Sequence, residues 1–249
     1  MSQEKIKQEN KEINNTNPTS KSPKNSSNSS EMSSESPVST STSQSFFNTR
    51  QANFTQVIQK SDKNNQIEVQ SFLNACKFFA EVYDVIGGTT FAPLKADVMG
   101  NVTKLQNKAK EYQVETIEEI VEFEINKKTT TSKGSGTDAL VWLKRGLWLF
   151  CQFLTNVLNG EENAQKAFSK SYDVTLAKHH NFIVKRLFSV GLMAFPSWET
   201  LMPLFLTKHE KSEGTEKEVL HKHLSVYLGG MRPLLEQLDL FYVGKGLSN

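Results

Sequence analysis

Apolar residues in this chain recur at intervals of three and four from Phe46 almost to the end, and the alternation typical of strands is nearly absent. Between Ile67 and Tyr83 this spacing predicts a helix with one face toward a core, and Gly87-Gly88 ends it. We predict further helices at about Lys95–Tyr112, Glu115–Ile125, Asp138–Leu158, Glu161–Ala194 and Glu216–Phe241, with a loop at Thr129–Gly136 and a break or restart at Pro233. The pattern therefore predicts an all-α domain, with the strongly apolar Asp138–Leu158 helix at its centre.

The first part of the chain has a different composition. Residues 1–45 are mainly Ser, Thr, Asn and Lys, with almost no large apolar side chain. Such a segment cannot bury enough apolar surface to offset the conformational entropy that ordering would cost. We therefore predict a disordered tail over residues 1–45 and one folded domain over residues 46–249.

Charge and cysteine content narrow the class of protein. Lys and Arg total 29 and Asp and Glu total 27, and this balance argues against a dedicated nucleic-acid binder. The N-terminus has no apolar signal segment and no run of about 18 apolar residues occurs, so we expect a cytoplasmic protein, peripheral at membranes. Cys76 and Cys151 lie in apolar helical contexts and are predicted to be reduced and buried.

A polar trio lies in the predicted helix that follows Phe91. Asp97 precedes Asn101 by four residues, and Asn101 precedes Lys104 by three, so the three side chains are neighbours on one helix face. A carboxylate, an amide and an ammonium group together suit a ligand rich in hydroxyl groups. A solvated helix face is the alternative, and spacing alone favours that simpler interpretation.

A second segment makes the ligand-binding interpretation of the trio more favourable. It is Thr137-Asp-Ala-Leu-Val-Trp-Leu-Lys-Arg-Gly-Leu147. Together with the run from Phe91 to Lys104 and with His180, it resembles the glycolipid transfer protein family, from about Asp62 to the C-terminal region. The resemblance implies a two-layer helical sandwich that encloses lipid chains. It implies a monomer that carries a glycosphingolipid between membranes through transient surface contact, without catalysis, cofactor, metal or nucleic acid.

The resemblance also implies roles for individual residues. Trp142 would stack on a sugar, while Asp97, Asn101 and Lys104 would bind its hydroxyl groups. His180 would donate to the amide carbonyl of the lipid and Asp97 would accept from the amide N–H. From the residues alone, core packing is the favoured interpretation of Trp142, and a helical histidine is usually structural or exposed.

Apolar residues on the flanking helices would line a pocket for the lipid chains. They are Phe91, Leu94, Phe150, Phe153, Phe188 and Leu192. Sequence does not distinguish a filled core from a lined tunnel. Phe182, Ile183 and Lys185, with Phe195 and Trp198 further on, resemble a membrane-docking patch, although the family commonly has Trp where Phe182 stands.

Three alternative functions remain open. Family members that carry ceramide-1-phosphate place extra basic residues around the headgroup, whereas Asn101 and Trp142 keep this region neutral and aromatic, so glycosphingolipids are favoured. A lipid sensor or scaffold without transfer is suggested by the tail and by Glu81-Val-Tyr-Asp84, which partly resembles receptor-binding motifs. An enzyme could use Asp97 and His180 as an acid–base pair, but the common catalytic motifs are absent from the sequence.

Overall fold

The computed structural model describes residues 44–48, 54–59, 66–208 and 215–247, and this part of the chain is mainly helical. The elements are β1 (Gln44–Ser45), α1 (Phe54–Gln59), α2 (Val69–Gly87), α3 (Ala92–Tyr112), α4 (Ile117–Lys127), α5 (Gly136–Leu158), α6 (Ala164–Val174), α7 (Phe182–Met193), α8 (Trp198–Phe205), β2 (Leu206–Lys208) and α9 (Glu216–Gly244). Short 3₁₀ turns cover Gly88–Thr90 and Ala177–His179. The all-α prediction is confirmed, and the antiparallel pair of β1 and β2 is a small local addition.

Helix α5 lies at the centre of the described residues and packs against α3, α6 and α9. Its side chains at Leu140, Leu147, Cys151 and Leu154 have no exposed surface. Each buried side chain of leucine size contributes roughly 1.5–3 kcal/mol to folding. The prediction of a central helix over this segment is confirmed.

The buried carboxylate of Glu124 holds the start of α5. It accepts hydrogen bonds from the N–H of Gly136 at 2.7 Å, from the N–H of Thr137 at 2.9 Å and from the Thr137 hydroxyl at 2.7 Å. The Tyr112 hydroxyl on α3 donates to it as well, at 3.0 Å. The first amides of a helix lack partners within the helix and carry partial positive charge, so a carboxylate stabilises them. One side chain thus joins the ends of α3, α4 and α5.

The first segment that the structure describes begins with β1. Ser45 is completely buried, and its hydroxyl lies 2.9 Å from Nδ1 of His223 on α9. The ring of Phe46 stacks on Phe78 with centroids 4.5 Å apart. Ser45 therefore already packs on the core, although the predicted domain boundary is at residue 46, because these aromatic contacts draw the strand onto the core. The rest of the predicted tail, residues 1–43, lies outside the described residues.

Helix α9 continues through Pro233, so the break predicted there is wrong. The missing N–H of Pro233 removes one hydrogen bond to the carbonyl of Gly229, which is a local cost. Met231 and Leu234, on either side, have no exposed surface. Burial of this face of α9 against its neighbours therefore outweighs the local preference of proline.

The segment predicted to hold one or two helices, Glu161–Ala194, holds two, α6 and α7. All residues of α7 are at least partly exposed. Phe188 attaches this helix to α6 by stacking on Tyr172, with ring centroids 3.5 Å apart. Helix α7 therefore lies on the surface of the folded part, attached mainly along one side.

The burial of side chains bears on two further predictions, those for the cysteines and for the Glu81-Val-Tyr-Asp84 stretch. Cys76 and Cys151 are free thiols without exposed surface, as predicted, and burial raises the pKa of Cys151 to about 11. The Glu81-Val-Tyr-Asp84 stretch lies inside α2, and its Val82 and Tyr83 belong to the core. The core thus covers the two central side chains of the stretch while Asp84 stays exposed, which weakens one reason for the scaffold alternative.

Candidate functional site

The polar trio lies on α3 as the spacing predicts. Helix α3 begins just after Phe91, with a proline in its first turn. The Asn101 amide is buried between its two neighbours: its Oδ1 accepts from Lys104 Nζ at 3.0 Å, and its Nδ2 lies 3.5 Å from Asp97 Oδ2. Asp97 and Lys104 are exposed. The trio therefore presents a carboxylate and an ammonium group to solvent, joined by an amide that cannot easily turn away.

Helix α5 brings Trp142 to the same region. Its indole is half-buried and lies almost parallel to the imidazole of His180, with an interplanar angle of 20° and ring centroids 5.9 Å apart. The Arg145 guanidinium lies 4.8 Å from the centroid of the Trp142 ring. Trp142 is therefore at the surface of the core rather than inside it.

His180 lies between the 3₁₀ turn Ala177–His179 and the N-terminus of α7, in an extended conformation rather than within a helix. The next residue, Asn181, caps α7 by accepting from the Val184 N–H at 3.0 Å. The Tyr172 hydroxyl lies 3.0 Å from Nδ1 of His180 and holds the orientation of the imidazole. Sequence reasoning did not find Tyr172, because nothing in the spacing along α6 relates it to His180.

Electrostatics couples the two sides of this region. Although Asp97 keeps much of its surface exposed, partial removal of water raises the pKa of its carboxyl, and the charges of Lys104 and His180 oppose this rise. Burial lowers the pKa of His180, and the carboxylate of Asp97 opposes that change. Loss of water outweighs the mutual attraction in both cases, so the imidazole is held neutral near pH 7.

A column of aromatic rings continues from His180 into the interior. Phe188 stacks on Tyr172, Phe168 lies 5.7 Å from Phe188, and Phe195 lies 4.5 Å from Phe168, each pair nearly parallel. We call Tyr172, Phe188, Phe168 and Phe195 the aromatic column. It joins α6 to the middle of α7 and to the turn that follows α7, and it links the polar region to the apolar interior.

The residues predicted to line a chain pocket have three kinds of surroundings. Phe91, Phe150 and Phe153 are buried. Phe188 and Leu192 are half-buried on α7. Leu94 is 40% exposed near the start of α3, so it lies at the surface rather than inside.

The predicted docking residues Phe182, Ile183 and Lys185 are all exposed on α7. Phe182 and Ile183, together with three further apolar side chains, form a surface that we call the apolar face of α7: Phe182, Ile183, Leu187, Val190 and Met193, which are 61–74% exposed. Phe195 and Trp198, expected near this patch, are buried instead. Their rings pack inward because the chain turns back toward the core after α7.

Two kinds of site are not seen in the described part of the chain. Its His, Cys, Asp and Glu residues form no group of three or more that could hold a metal ion. None of its helices combines the length and apolar composition that crossing a bilayer requires.

The sequence matches a known protein family. The model of the glycolipid transfer protein family covers residues 67–207. The human pleckstrin homology domain-containing family A member 8 is 33% identical over 207 residues, which is 82% of this chain and 40% of that protein. The chain thus spans about two fifths of the length of that relative. A glycolipid transfer protein of Aureobasidium melanogenum is 32% identical over 203 residues and is covered over 94% of its length.

Solved structures show the same architecture. A structure described as showing how FAPP2 selects simple glycosphingolipids using the GLTP fold matches with a TM-score of 0.75 at 33% identity, over 83% of this chain and 98% of that one. The fungal glycolipid transfer protein HET-C2 matches with a TM-score of 0.66 at 29% identity, over 79% and 96%. The human ceramide-1-phosphate transfer protein shares the fold at 16% identity, with a TM-score of 0.68 over 79% and 96%. The predicted helical sandwich is confirmed, and this chain belongs to the glycolipid transfer protein family.

Proposed function

We propose that the protein binds a glycosphingolipid and transfers it between membranes. The single observation that carries this proposal is the convergence of three separate segments around one small region. We call this region the headgroup centre; it consists of Asp97, Asn101, Lys104, Trp142 and His180. The hydrogen-bonded trio belongs to α3, the indole to α5 and the imidazole to the start of the α7 segment.

The chemistry of the headgroup centre suits a sugar joined to an amide. An indole face covers the apolar C–H face of a pyranose ring, and the carboxylate, amide and ammonium groups bind its hydroxyls. When the Tyr172 hydroxyl donates to Nδ1 of His180, Nε2 carries the hydrogen and can donate to a carbonyl oxygen. Asp97 then accepts from the amide N–H. One donor and one acceptor together recognise an acylamide and distinguish it from an ester.

The lipid chains would enter beside the aromatic column. Each methylene group that leaves water contributes about 0.8 kcal/mol, so long chains favour binding strongly. Helix α7 has no fully buried side chain, and its half-buried residues Phe188 and Leu192 face the interior. Displacing this helix costs less core contact than displacing α5, which supports entry between α6 and α7.

The apolar face of α7 supports contact with a bilayer. A contiguous apolar surface on a folded protein usually marks an interaction site. Lys185 and Arg186 are exposed on the same helix, and the Arg186 guanidinium lies 5.1 Å from the Phe182 ring centroid. Apolar side chains beside basic groups are typical of helices that lie in a membrane interface.

Ceramide-1-phosphate is the alternative ligand, and two observations disfavour it. The relatives whose names or descriptions refer to glycolipids or glycosphingolipids are 29–33% identical to this chain, whereas the ceramide-1-phosphate proteins, at 16–22%, share the fold alone. Asn101 is a neutral group at the centre of the trio and already accepts a hydrogen bond from Lys104. The headgroup centre thus combines one ammonium group with a carboxylate, a neutral amide and an indole, where a phosphate would need further cations.

A vesicle transfer assay tests the proposal. The wild-type protein should move labelled monohexosylceramide, recovered unchanged, and leave ceramide-1-phosphate in the donor vesicles. Asn101→Lys should slow transfer of the glycolipid, because it replaces a neutral amide with a charge. Thr103→Lys adds the same charge at an exposed neighbouring position and serves as the control. A wild type that prefers the phosphate ligand, or that converts the glycolipid to a product, would contradict the proposal.

A further inference from the structure

A cleft of ≈ 440 Å³ opens beside the headgroup centre, between α5, the end of α6 and α9. Its lining includes Lys144, Arg145, Lys178, His179 and Asp239. This volume lies within the roughly 300–1,000 Å³ range of ordinary ligand sites. Neither the carriage of a monohexosyl headgroup nor the docking of α7 uses this cleft.

The Asp239 carboxylate in the cleft already has two partners within the protein. Lys144 Nζ lies 2.6 Å from Oδ1 of Asp239, and the indole N–H of Trp148 donates to Oδ2 at 2.9 Å. Lys144 is almost completely buried, so this ion pair forms the floor of the cleft and is electrically neutral as a whole. The remaining cations of the lining therefore determine the charge that a ligand would meet.

Arg145 and Lys178 are those cations. Within the described part of the chain, neither forms a salt bridge, and Nε of Arg145 is buried without a hydrogen-bond partner. The carboxylate of Asp138 acts on Arg145 electrostatically and offsets part of its charge. Lys178 is exposed at the rim. The cleft thus holds unused donors with positive charge.

The pKa of His179 also reflects the positive charge of the cleft. Burial lowers its pKa most, and the charges of Arg145 and Lys178 lower it further. Both of these groups are cations that form no salt bridge within the described part of the chain. A site with this surplus favours an anion, since an anion removes the repulsion among the groups that surround it.

We propose that the cleft is a second ligand site, for a sulfate or carboxylate group carried by the sugar of a glycosphingolipid that is bound in the headgroup centre. This inference rests on the proposed function. Arg145 connects the two sites, because it contacts the Trp142 ring and also lines the cleft. His179, in the cleft, directly precedes His180 in the headgroup centre.

The position of the cleft favours an anion on the sugar over the phosphate of a bilayer phospholipid. Residues of α5, α6, α9 and the 3₁₀ turn line it, and α7 contributes none of them. The surface proposed to face the bilayer is on α7. An anion that reaches the cleft therefore arrives with the ligand rather than with the membrane surface.

Titration with short-chain lipids in the absence of vesicles tests this inference. We expect wild-type protein to bind short-chain 3-O-sulfogalactosylceramide about tenfold more tightly than galactosylceramide, the size of one charge-assisted hydrogen bond. Lys178→Glu should remove that preference and leave binding of the neutral lipid unchanged. Lys222→Glu makes the same charge reversal at an exposed position of α9, about 25 Å along the helix from Asp239, and should change neither value.

The possible outcomes distinguish failure of the second-site proposal from failure of the proposed glycolipid function. Absence of a preference in wild type, or a preference that survives Lys178→Glu, would overturn the second site while leaving glycolipid binding intact. Failure of the wild type to bind the neutral lipid would overturn the proposed function as well. A short-chain phosphatidylserine that competes as well as the sulfated glycolipid would assign the anion to a phospholipid instead, and the sugar assignment would be withdrawn.

Discussion

Helices α5 and α7 are both rich in apolar residues, yet they have opposite surroundings. Fourteen residues of α5 are buried, whereas no residue of α7 is. Helix α5 has neighbours on several sides, and α7 is attached mainly through Phe188. Hydropathy alone therefore does not separate a helix that stabilises the fold from one whose apolar surface is available to a bilayer. Position in the fold makes that distinction.

The largest expected effect is a difference in stability between matched leucine substitutions on these two helices. Leu147→Ala on α5 removes a side chain with no exposed surface, and we expect a loss of about 2–5 kcal/mol in the free energy of unfolding. Leu187→Ala is the matched change on α7, where the side chain is 66% exposed, and it should change stability by at most about 0.5 kcal/mol. Thermal or urea unfolding measures both. Similar losses would mean that α7 is packed as α5 is.

The second-largest effect is a loss of lipid transfer with little change in the stability of the fold. Asp97→Val should abolish glycolipid transfer, because each buried donor left without its acceptor costs about 1–3 kcal/mol. The melting temperature should change little, since Asp97 is exposed. Asp84→Val makes the same change in an exposed surface ion pair with Lys95 and serves as the control. Transfer at the wild-type rate by a folded Asp97→Val protein would remove Asp97 from the headgroup centre.

A smaller, severalfold effect is expected at the apolar face of α7. Phe182→Ala should slow transfer between vesicles and leave binding of a short-chain glycolipid in solution unchanged, because only the vesicle assay needs partition into a bilayer interface. The remaining rate should rise on anionic vesicles and fall in high salt. Leu240→Ala on α9, where the side chain is 73% exposed, is the control for removing surface apolar area. Equal losses in both assays would place Phe182 in the pocket instead.

A still smaller effect should appear at His180, where α5 and the α7 segment meet. Burial lowers the pKa of His180 in the folded state below its ordinary value of 6.5, so the unfolded chain takes up a proton first as the pH falls. Stability should therefore decline as the pH falls through 6.5, and His180→Gln should make this decline shallower. His221→Gln should do the same, since burial also lowers the pKa of His221, but only the change at His180 should weaken lipid binding. Melting curves from pH 8 to 5, with lipid titrations at each end, give both readouts; an unchanged slope in His180→Gln would contradict the prediction.

The smallest effect is expected from the N-terminal segment. From its composition, removal of residues 1–43 should leave the melting temperature and transfer in vitro nearly unchanged. Removal of residues 1–48 is the informative comparison, since it deletes the buried Ser45 and the Phe46 ring that stacks on Phe78. A large loss of stability with the shorter deletion would place part of residues 1–43 in the folded domain.

Much of the fold could be predicted from the sequence because it depends on local pattern. Periodicity gave the helices, and the spacing of Asp97, Asn101 and Lys104 gave their shared face. The contact between Trp142 and His180 could only be expected from family resemblance, since it joins distant segments. Tyr172 was missed for the same reason: its role depends on how α6 packs, which no spacing along the chain encodes.

The errors have a common cause. Pro233 was expected to break a helix, and Phe195 and Trp198 were expected at the surface, because local preference was weighed without the packing around them. Leu94 was expected inside and is exposed, because its position on α3 depends on which face of the helix the core covers. Tertiary packing decides each case, and a single sequence does not contain it in readable form.

The Glu124 carboxylate has a consequence for redesign. Since it secures α3, α4 and α5 at one end through buried hydrogen bonds, the frame that spaces the trio from Trp142 does not depend on the side chains at the ligand surface. Positions 97, 104 and 142 can therefore be exchanged for other chemical groups while the scaffold persists. The fold would then be a scaffold for binding other headgroups, and Glu124 is the residue that such a redesign should keep.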